Sequence, residues 1–241
     1  MPLVAAAVCP HPPLLVPDVA AGAAAELDSL RAACMASVDV LRAAAPDLLV
    51  VVGTGATTRE HPAGARGTFA GFGVPLEVVL GADNGAGDRP PPSLPLSLTV
   101  GAWLLAAAAY DGAVVGLEVA ADGTPGERAA LGADVAARQE RVALLVMGDA
   151  SARRTPKAPG ARDERAEPFD RAVADAFRRA DAGALRDLDV ALADELMVAG
   201  WPAWQVLAGA VGTASDGWAG EVTYDEAPYG VGYVVAAWLP T

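Results

Sequence analysis

The sequence predicts an α/β protein: a three-layer α/β/α arrangement around a mostly parallel, mixed central sheet, Rossmann-like in layout. Three observations carry that expectation. The continuous apolar run at 3–9 and the strands read at 47–53, 113–119 and 142–147 have the pattern of a sheet buried on both faces. Between them lie stretches with apolar residues at spacings of three and four, the mark of helices that cover such a sheet. Each run soon gives way to proline, glycine or aspartate, where regular structure stops. At 241 residues the chain suits one domain spanning 1–241.

The first strand, Leu3–Cys9, runs into Pro10, Pro12 and Pro13, which fix φ, remove donors and force an extended exit. Residues 26–45 follow as a helix. Leu27, Leu30, Cys34, Val38 and Leu41 make its buried stripe, with Glu26, Arg31, Asp39 and Arg42 off it. Pro46 ends the helix and 47–53 is the second strand, so the unit predicts a parallel pair with a right-handed crossover. Residues 54–73 read as a loop with a short strand near 68–72, and 75–80 as a further strand. Gly, Asp, Asn and the Pro90-Pro91-Pro92 run mark 81–92 as an exposed loop. Ser97 or Thr99 is the expected cap of an alanine-rich helix ending near Tyr110. Beyond the strand at 113–119, Thr124 and Glu127 spell a capping box, with Pro125 in the first turn. The strand Val142–Met147 ends in Gly148-Asp149, and 151–167 is a polar loop. Helices are expected at 168–180, 184–188, 190–199 and 202–212, then strands near 221–224 and 230–239.

Hydrophobic residues make up 53% and charged residues 20%, a globular composition, although much of the apolar share is alanine and adds little burial energy. The balance of 17 basic against 30 acidic residues gives −13, which repels phosphate backbones and anionic lipid. The partner expected is therefore a small molecule, not nucleic acid or a membrane, with a homo-oligomer permitted. Cys9 and Cys34 form no Cys-x-x-Cys pair, which excludes a structural zinc site of the usual spacing, and reduced thiols suit a cytoplasmic location. The start, Met1-Pro2-Leu3-Val4, lacks the basic region of a signal peptide, and the longest apolar run, 98–110, is too short to span a bilayer.

In such a sheet ligands go to the carboxyl ends of the strands, here 9–13, 53–58, 119–123 and 148–151. The chain has two histidines. His11 is held between prolines at a strand end. His61, in Arg59-Glu60-His61-Pro62, reads by itself as an exposed loop residue. If the strands feeding them are neighbours, the two meet. With Glu226 or Asp225 they form a two-histidine, one-carboxylate set, the arrangement that holds Fe(II) with open positions in non-haem oxygenases. Gly53-Thr54-Gly55-Ala56-Thr57-Thr58 offers amides to an anion but lacks a P-loop lysine and a helix directly after it. Asp149 and Ser151 are pocket candidates at a strand end. A serine hydrolase would draw its base from His11 or His61, without the Gly-x-Ser-x-Gly elbow. Trp201 and Trp204, three apart, read as helix-packing anchors.

Three stretches, Cys9-Pro10-His11-Pro12-Pro13-Leu14-Leu15-Val16-Pro17, Gly148-Asp149-Ala150-Ser151-Ala152-Arg153-Arg154 and Ala227-Pro228-Tyr229-Gly230-Val231-Gly232-Tyr233, together resemble the B-subunit-like proteins of the class III extradiol ring-cleavage dioxygenases. The Memo-type proteins share that superfamily. The likeness runs nearly end to end, and the alanine-rich composition resembles an actinobacterial member. It implies Fe(II), or another divalent metal, held by two histidines and a glutamate, a further histidine as acid–base, and opening of a catechol ring beside its hydroxyls with O2. Residue by residue, His11 matches the first ligand. The second is expected just after the second strand, where this chain has Gly53-Thr54-Gly55-Ala56; His61 comes several residues later. Glu226 falls near the glutamate position. The acid–base histidine is expected in Gly-Asp-x-Ser-His, and here that position is Ala152, which has no proton to move.

Two functional expectations compete. One is a catalytically degenerate member of that family, a binding or scaffold protein with a pocket around His11 and no required metal. The other is a working non-haem Fe(II) oxidoreductase using His11, His61 and Glu226, with Cys9 alongside. The missing acid–base group weighs toward the first, because a fold does not carry its function with it.

Overall fold

The apolar runs become strands and the three-to-four spacings become helices. A computed structural model describes residues 3–82, 94–212 and 217–241. Its strands are β1 (Leu3–Cys9), β2 (Leu48–Gly55), β3 (Arg59–His61), β4 (Arg66–Thr68), β5 (Glu77–Val79), β6 (Val114–Ala120), β7 (Val142–Met147), β8 (Trp218–Glu226) and β9 (Tyr233–Pro240). Its α-helices are α1 (Pro17–Ala20), α2 (Asp28–Ala43), α3 (Leu96–Ala107), α4 (Pro125–Ala136), α5 (Ala166–Arg178), α6 (Ala182–Arg186), α7 (Val190–Glu195) and α8 (Trp201–Val211). Seven strands form one sheet in the order β3-β6-β2-β7-β1-β9-β8, and β4 and β5 pair apart from it. The four central strands run parallel, whereas β3, β8 and β9 pair antiparallel to their neighbours. This is the expected three-layer α/β/α fold with a mixed, mostly parallel sheet. Among the described residues, no helix is long and apolar enough to cross a membrane.

Strand alternation sorts the side chains into two cores. Ala5, Ala7, Cys9, Leu49, Val51, Leu145 and Met147 face α2 and α3. Ala6, Val8, Val50, Val52, Leu144 and Val146 face the layer containing α5 and α8. Leu27, Leu30, Cys34, Val38 and Leu41 are fully buried, as the helical stripe requires, and Trp204 is buried in the other layer.

Several elements differ from expectation. β1 and β2 are not neighbours, because β7 lies between them and pairs with both. Adjacency in sequence selects the crossover hand but not which later strand fills the gap. The short strand read near 68–72 falls earlier, as β4, and 70–72 is a 3-10 turn. β3 is an additional edge strand of three residues, too short for periodicity to reveal. The helix read from 26 begins at Asp28, after a 3-10 stretch over Ala21–Leu27. Neither Ser97 nor Thr99 caps α3. The N-cap is Pro95, while Ser97 Oγ donates to Thr54 O at 2.7 Å and Thr99 Oγ1 to Pro95 O at 2.9 Å. The capping box at α4 forms, Thr124 N donating to Glu127 Oε2 at 2.7 Å and Glu127 N to Thr124 Oγ1 at 3.2 Å. Most of the loop read at 81–92 lies outside the described residues.

α4 and α8 touch backbone to backbone. A Cβ on Gly132 would stand 2.0 Å from Val206 O, and one on Gly209 2.3 Å from Ala129 O. Gly132→Ala should therefore force the helices apart and cost about 1–3 kcal/mol, as overpacking does, read as a lower urea midpoint at unchanged slope.

Candidate functional site

The three stretches that carry the family likeness lie far apart in the chain and converge at the carboxyl ends of β1 and β7. Gly148 N donates to Cys9 O at 2.9 Å, which ties the two strand ends together. Ala150 N donates to Gly232 O and Gly232 N to Ser151 O, each at 2.8 Å, and Arg154 N donates to Gly230 O at 2.9 Å. The β8–β9 turn is thus stitched to the loop after β7. Gly230 takes a φ of +78°, and a Cβ there would also meet Thr155 Oγ1 at 2.4 Å.

His11 projects into this corner from the proline-bounded exit of β1 and is 8% exposed. Its backbone N–H donates to Asp149 Oδ1 at 2.7 Å, and the same oxygen lies 3.8 Å from Nδ1. Nδ1 is buried without a hydrogen bond, and Nε2 makes none among the described residues. Burial pushes the Asp149 carboxyl above its ordinary value, opposed by the His11 imidazole and backbone N–H. Tyr233 lies beside them, its phenol pushed well up by burial first and then by the charge of Asp149. His11 and Asp149, both singled out from sequence, are therefore brought together.

The other sequence candidates are placed elsewhere. His61 is not an exposed loop residue: it sits on β3, fully buried, with Nε2 2.8 Å from Glu118 Oε2. Between β3 and β1 stand β6, β2 and β7, so about 19 Å of sheet separates His61 from the His11 corner at about 4.8 Å per strand. Glu226 ends β8, two strands from β1 and exposed, its Oε2 accepting from Tyr224 OH at 3.4 Å. Asp225 is likewise exposed. Cys9 turns into the core, its Sγ 3.1 Å from Ser37 Oγ, and Ser37 in turn donates to Cys34 O at 2.8 Å. Cys34 is buried, and its thiol is pushed up by the Cys9 side chain and then by burial, the setting of an inert thiol. Among the described residues, no three His, Cys, Asp or Glu side chains are grouped to hold one ion.

Ser151 is fully buried, and its Oγ donates to Asp170 Oδ2 at 2.8 Å while its N–H donates to Oδ1 at 2.9 Å. Arg154 Nη1 reaches the same carboxylate at 3.1 Å. Ser151 is thus an anchor of the loop and not a pocket residue or nucleophile. Ala152 is also buried, its N–H donating to Leu196 O at 3.0 Å. The glycines of 53–55 have packing reasons: a Cβ on Gly53 would meet Ser97 Oγ at 2.4 Å, and one on Gly55 would meet Glu118 Oε1 at 2.4 Å. A carboxylate under that turn disfavours an anion there.

Sequence reasoning missed Glu118, Arg128 and Asp170, all 3% exposed or less. The available signal was Glu118 inside the apolar run Leu117-Glu118-Val119, since a lone charge in a buried strand demands partners. Glu118 Oε1 accepts from Thr57 N at 3.0 Å, and Oε2 accepts from Arg59 Nε at 3.0 Å as well as facing His61. Burial opposes its charge, yet the hydrogen bonds from His61, Thr57 and Arg59 outweigh it and hold the carboxyl down at about 2.

Fold and site together define a three-layer α/β/α protein with a histidine–aspartate corner at the carboxyl edge of its sheet. The chain is similar over 98% of its length to 99% of uncharacterized protein JW3007 from Escherichia coli K12, at 13% identity and a TM-score of 0.50, a likeness of fold. No family model and no curated protein matches it.

Proposed function

We propose that this chain is a catalytically degenerate member of the class III extradiol dioxygenase B-subunit-like family, acting as a binding protein at the corner formed by His11 and Asp149. The observation that supports this reading is the separation of the two histidines. A metal shared by both needs their nitrogens within about 2 Å of one point, and His61 is instead committed to Glu118 on the far edge strand. His11, His61 and Glu226 do not fit a two-histidine, one-carboxylate site, and Ala152 offers no acid–base group. What His11 retains is a backbone N–H fixed on Asp149, a carboxylate facing Nδ1, and an Nε2 free to exchange a hydrogen bond with a ligand hydroxyl. A phenolic ring is the ligand class that the family likeness favours.

The competing reading, a working Fe(II) dioxygenase, requires β3 to leave the sheet edge for His61 to reach His11. Protein reconstituted with Fe(II) without oxygen, then given catechol and O2, separates the two. We expect no oxygen uptake, while catechol alone raises the melting temperature of the wild type and not of His11→Ala. Stoichiometric iron held by the wild type and lost from His11→Ala, together with a ring-opened product, would overturn the proposal.

A further inference from the structure

His11 is 8% exposed, so a ligand meets its imidazole only when part of the surroundings moves. Two walls meet there. One is the chain that leaves β1, residues 13–27, and the other is the β8–β9 turn, residues 227–232, which rests on the loop carrying Asp149. The backbone of both is fixed. Arg31 on α2 donates from Nη1 to Leu15 O at 3.2 Å and from Nη2 to Ala24 O, clamping the first wall at two points. The second is held by the backbone bonds of Gly232 to Ala150 and Ser151 and of Gly230 to Arg154. What is left to move is a side chain.

Tyr229, half-buried in the β8–β9 turn, reaches from one wall to the other, its hydroxyl donating to Glu26 Oε2 at 3.0 Å. Its ring packs against the core layer that contains Cys9, Leu15, Leu27 and Tyr233. The Tyr233 phenol is pushed up by burial, then by Asp149, then by Tyr229, so Tyr229 stands within electrostatic reach of the corner. Glu26 is exposed. A hydrogen bond at such a place exchanges with water at little net cost, whereas the backbone pairing on either side does not. We propose that the Tyr229 side chain is a gate on the His11 corner, latched shut by Glu26 and swung outward when a ligand enters or leaves. The gate controls traffic to the binding site proposed above and takes its purpose from that reading.

The gate can be tested without a ligand. The chain has two histidines, and His61 is fully buried. Labelling of the full chain with diethyl pyrocarbonate, mapped by peptide mass, therefore reads access to His11, and an unlabelled His61 shows that a variant is folded. Wild-type His11 should label more slowly than a histidine in a short peptide. Tyr229→Phe and Glu26→Ala should each label about 2–10-fold faster than wild type, the worth of one net hydrogen bond. The double variant should be no faster than either, because both changes remove the same bond. Stopped-flow mixing with catechol should show association and dissociation both faster in Tyr229→Phe, with Kd unchanged. Unchanged labelling in both single variants, additive acceleration in the double, or wild-type His11 labelling as fast as the peptide would each overturn the gate. Accelerated labelling without catechol binding by either protein would keep the gate and remove the binding reading instead.

Discussion

Replacing Glu118 with alanine should lower the unfolding free energy by about 3–5 kcal/mol, because it strips the acceptor from several donors at once, each buried one costing about 1–3 kcal/mol when left unpaired. The size follows from what the carboxylate satisfies at once: the Thr57 backbone N–H, Arg59 Nε and the fully buried His61 Nε2. Without it the His61 ring has no hydrogen bond left among the described residues, since Nδ1 already has none. The edge strand β3, three residues long, then keeps its pairing with Glu118, Leu117 and Gly116 of β6, the Glu60–Arg138 ion pair and the burial of His61. Amide exchange at 59–61 should rise in Glu118→Ala more than in β7.

The same group sets part of the acid response. Its folded value of about 2 lies below the ordinary 4.5, so the unfolded chain takes up the proton first. Its contribution, about 3 kcal/mol for a shift of that size, is complete above the unfolded value and is lost as pH falls from about 5 toward 2. Glu118→Gln keeps the shape and removes the titration. Its stability should be lower than wild type at neutral pH, with the two profiles approaching each other in acid. Parallel profiles across that window would show that the carboxylate is not charged in the fold as described.

The layers of the fold were legible because strands buried on both faces must be apolar throughout, as 142–147 is, and because a helix on such a sheet must show one stripe, as 27–41 does. Strand order was not, since the insertion of β7 between β1 and β2 depends on crossovers that leave no local mark in either strand. The failure at His61 has the same root. Arg59-Glu60-His61-Pro62 is polar and short, and only the partner on β6 makes a buried strand of it. At the site, His11 and Asp149 were each visible as residues at strand ends, but their contact needs β1 and β7 to be neighbours, a property of topology. Ser97 illustrates the limit of cap signals. A serine near a helix start reads as a cap, yet here the first turn is buried and its hydroxyl serves the carbonyl of Thr54.

Replacing Asp170 with alanine should destabilise the protein by about 3–5 kcal/mol and, under the function proposed above, weaken catechol binding at His11 without touching that residue. Asp170 is 1% exposed and accepts from the Ser151 N–H, the Ser151 hydroxyl and Arg154. Burial raises its carboxyl value against those three bonds, so part of their strength already goes into keeping the charge in the interior. Two residues before Ser151 stands Asp149, whose carboxylate fixes the His11 backbone N–H. Gly232 completes the coupling: a Cβ there would stand 2.4 Å from Asp170 Oδ2, so the β8–β9 turn rests directly on this carboxylate. Loss of Asp170 frees the loop after β7 and, through it, the aspartate that positions His11. Asp170→Asn keeps an oxygen for the Ser151 N–H and should lose less than half as much stability. If Asp170→Ala melts as the wild type does, the backbone bonds between Ala150 and Gly232 and between Arg154 and Gly230 hold the loop alone. The His11–Asp149 corner then owes nothing to the buried carboxylate behind it.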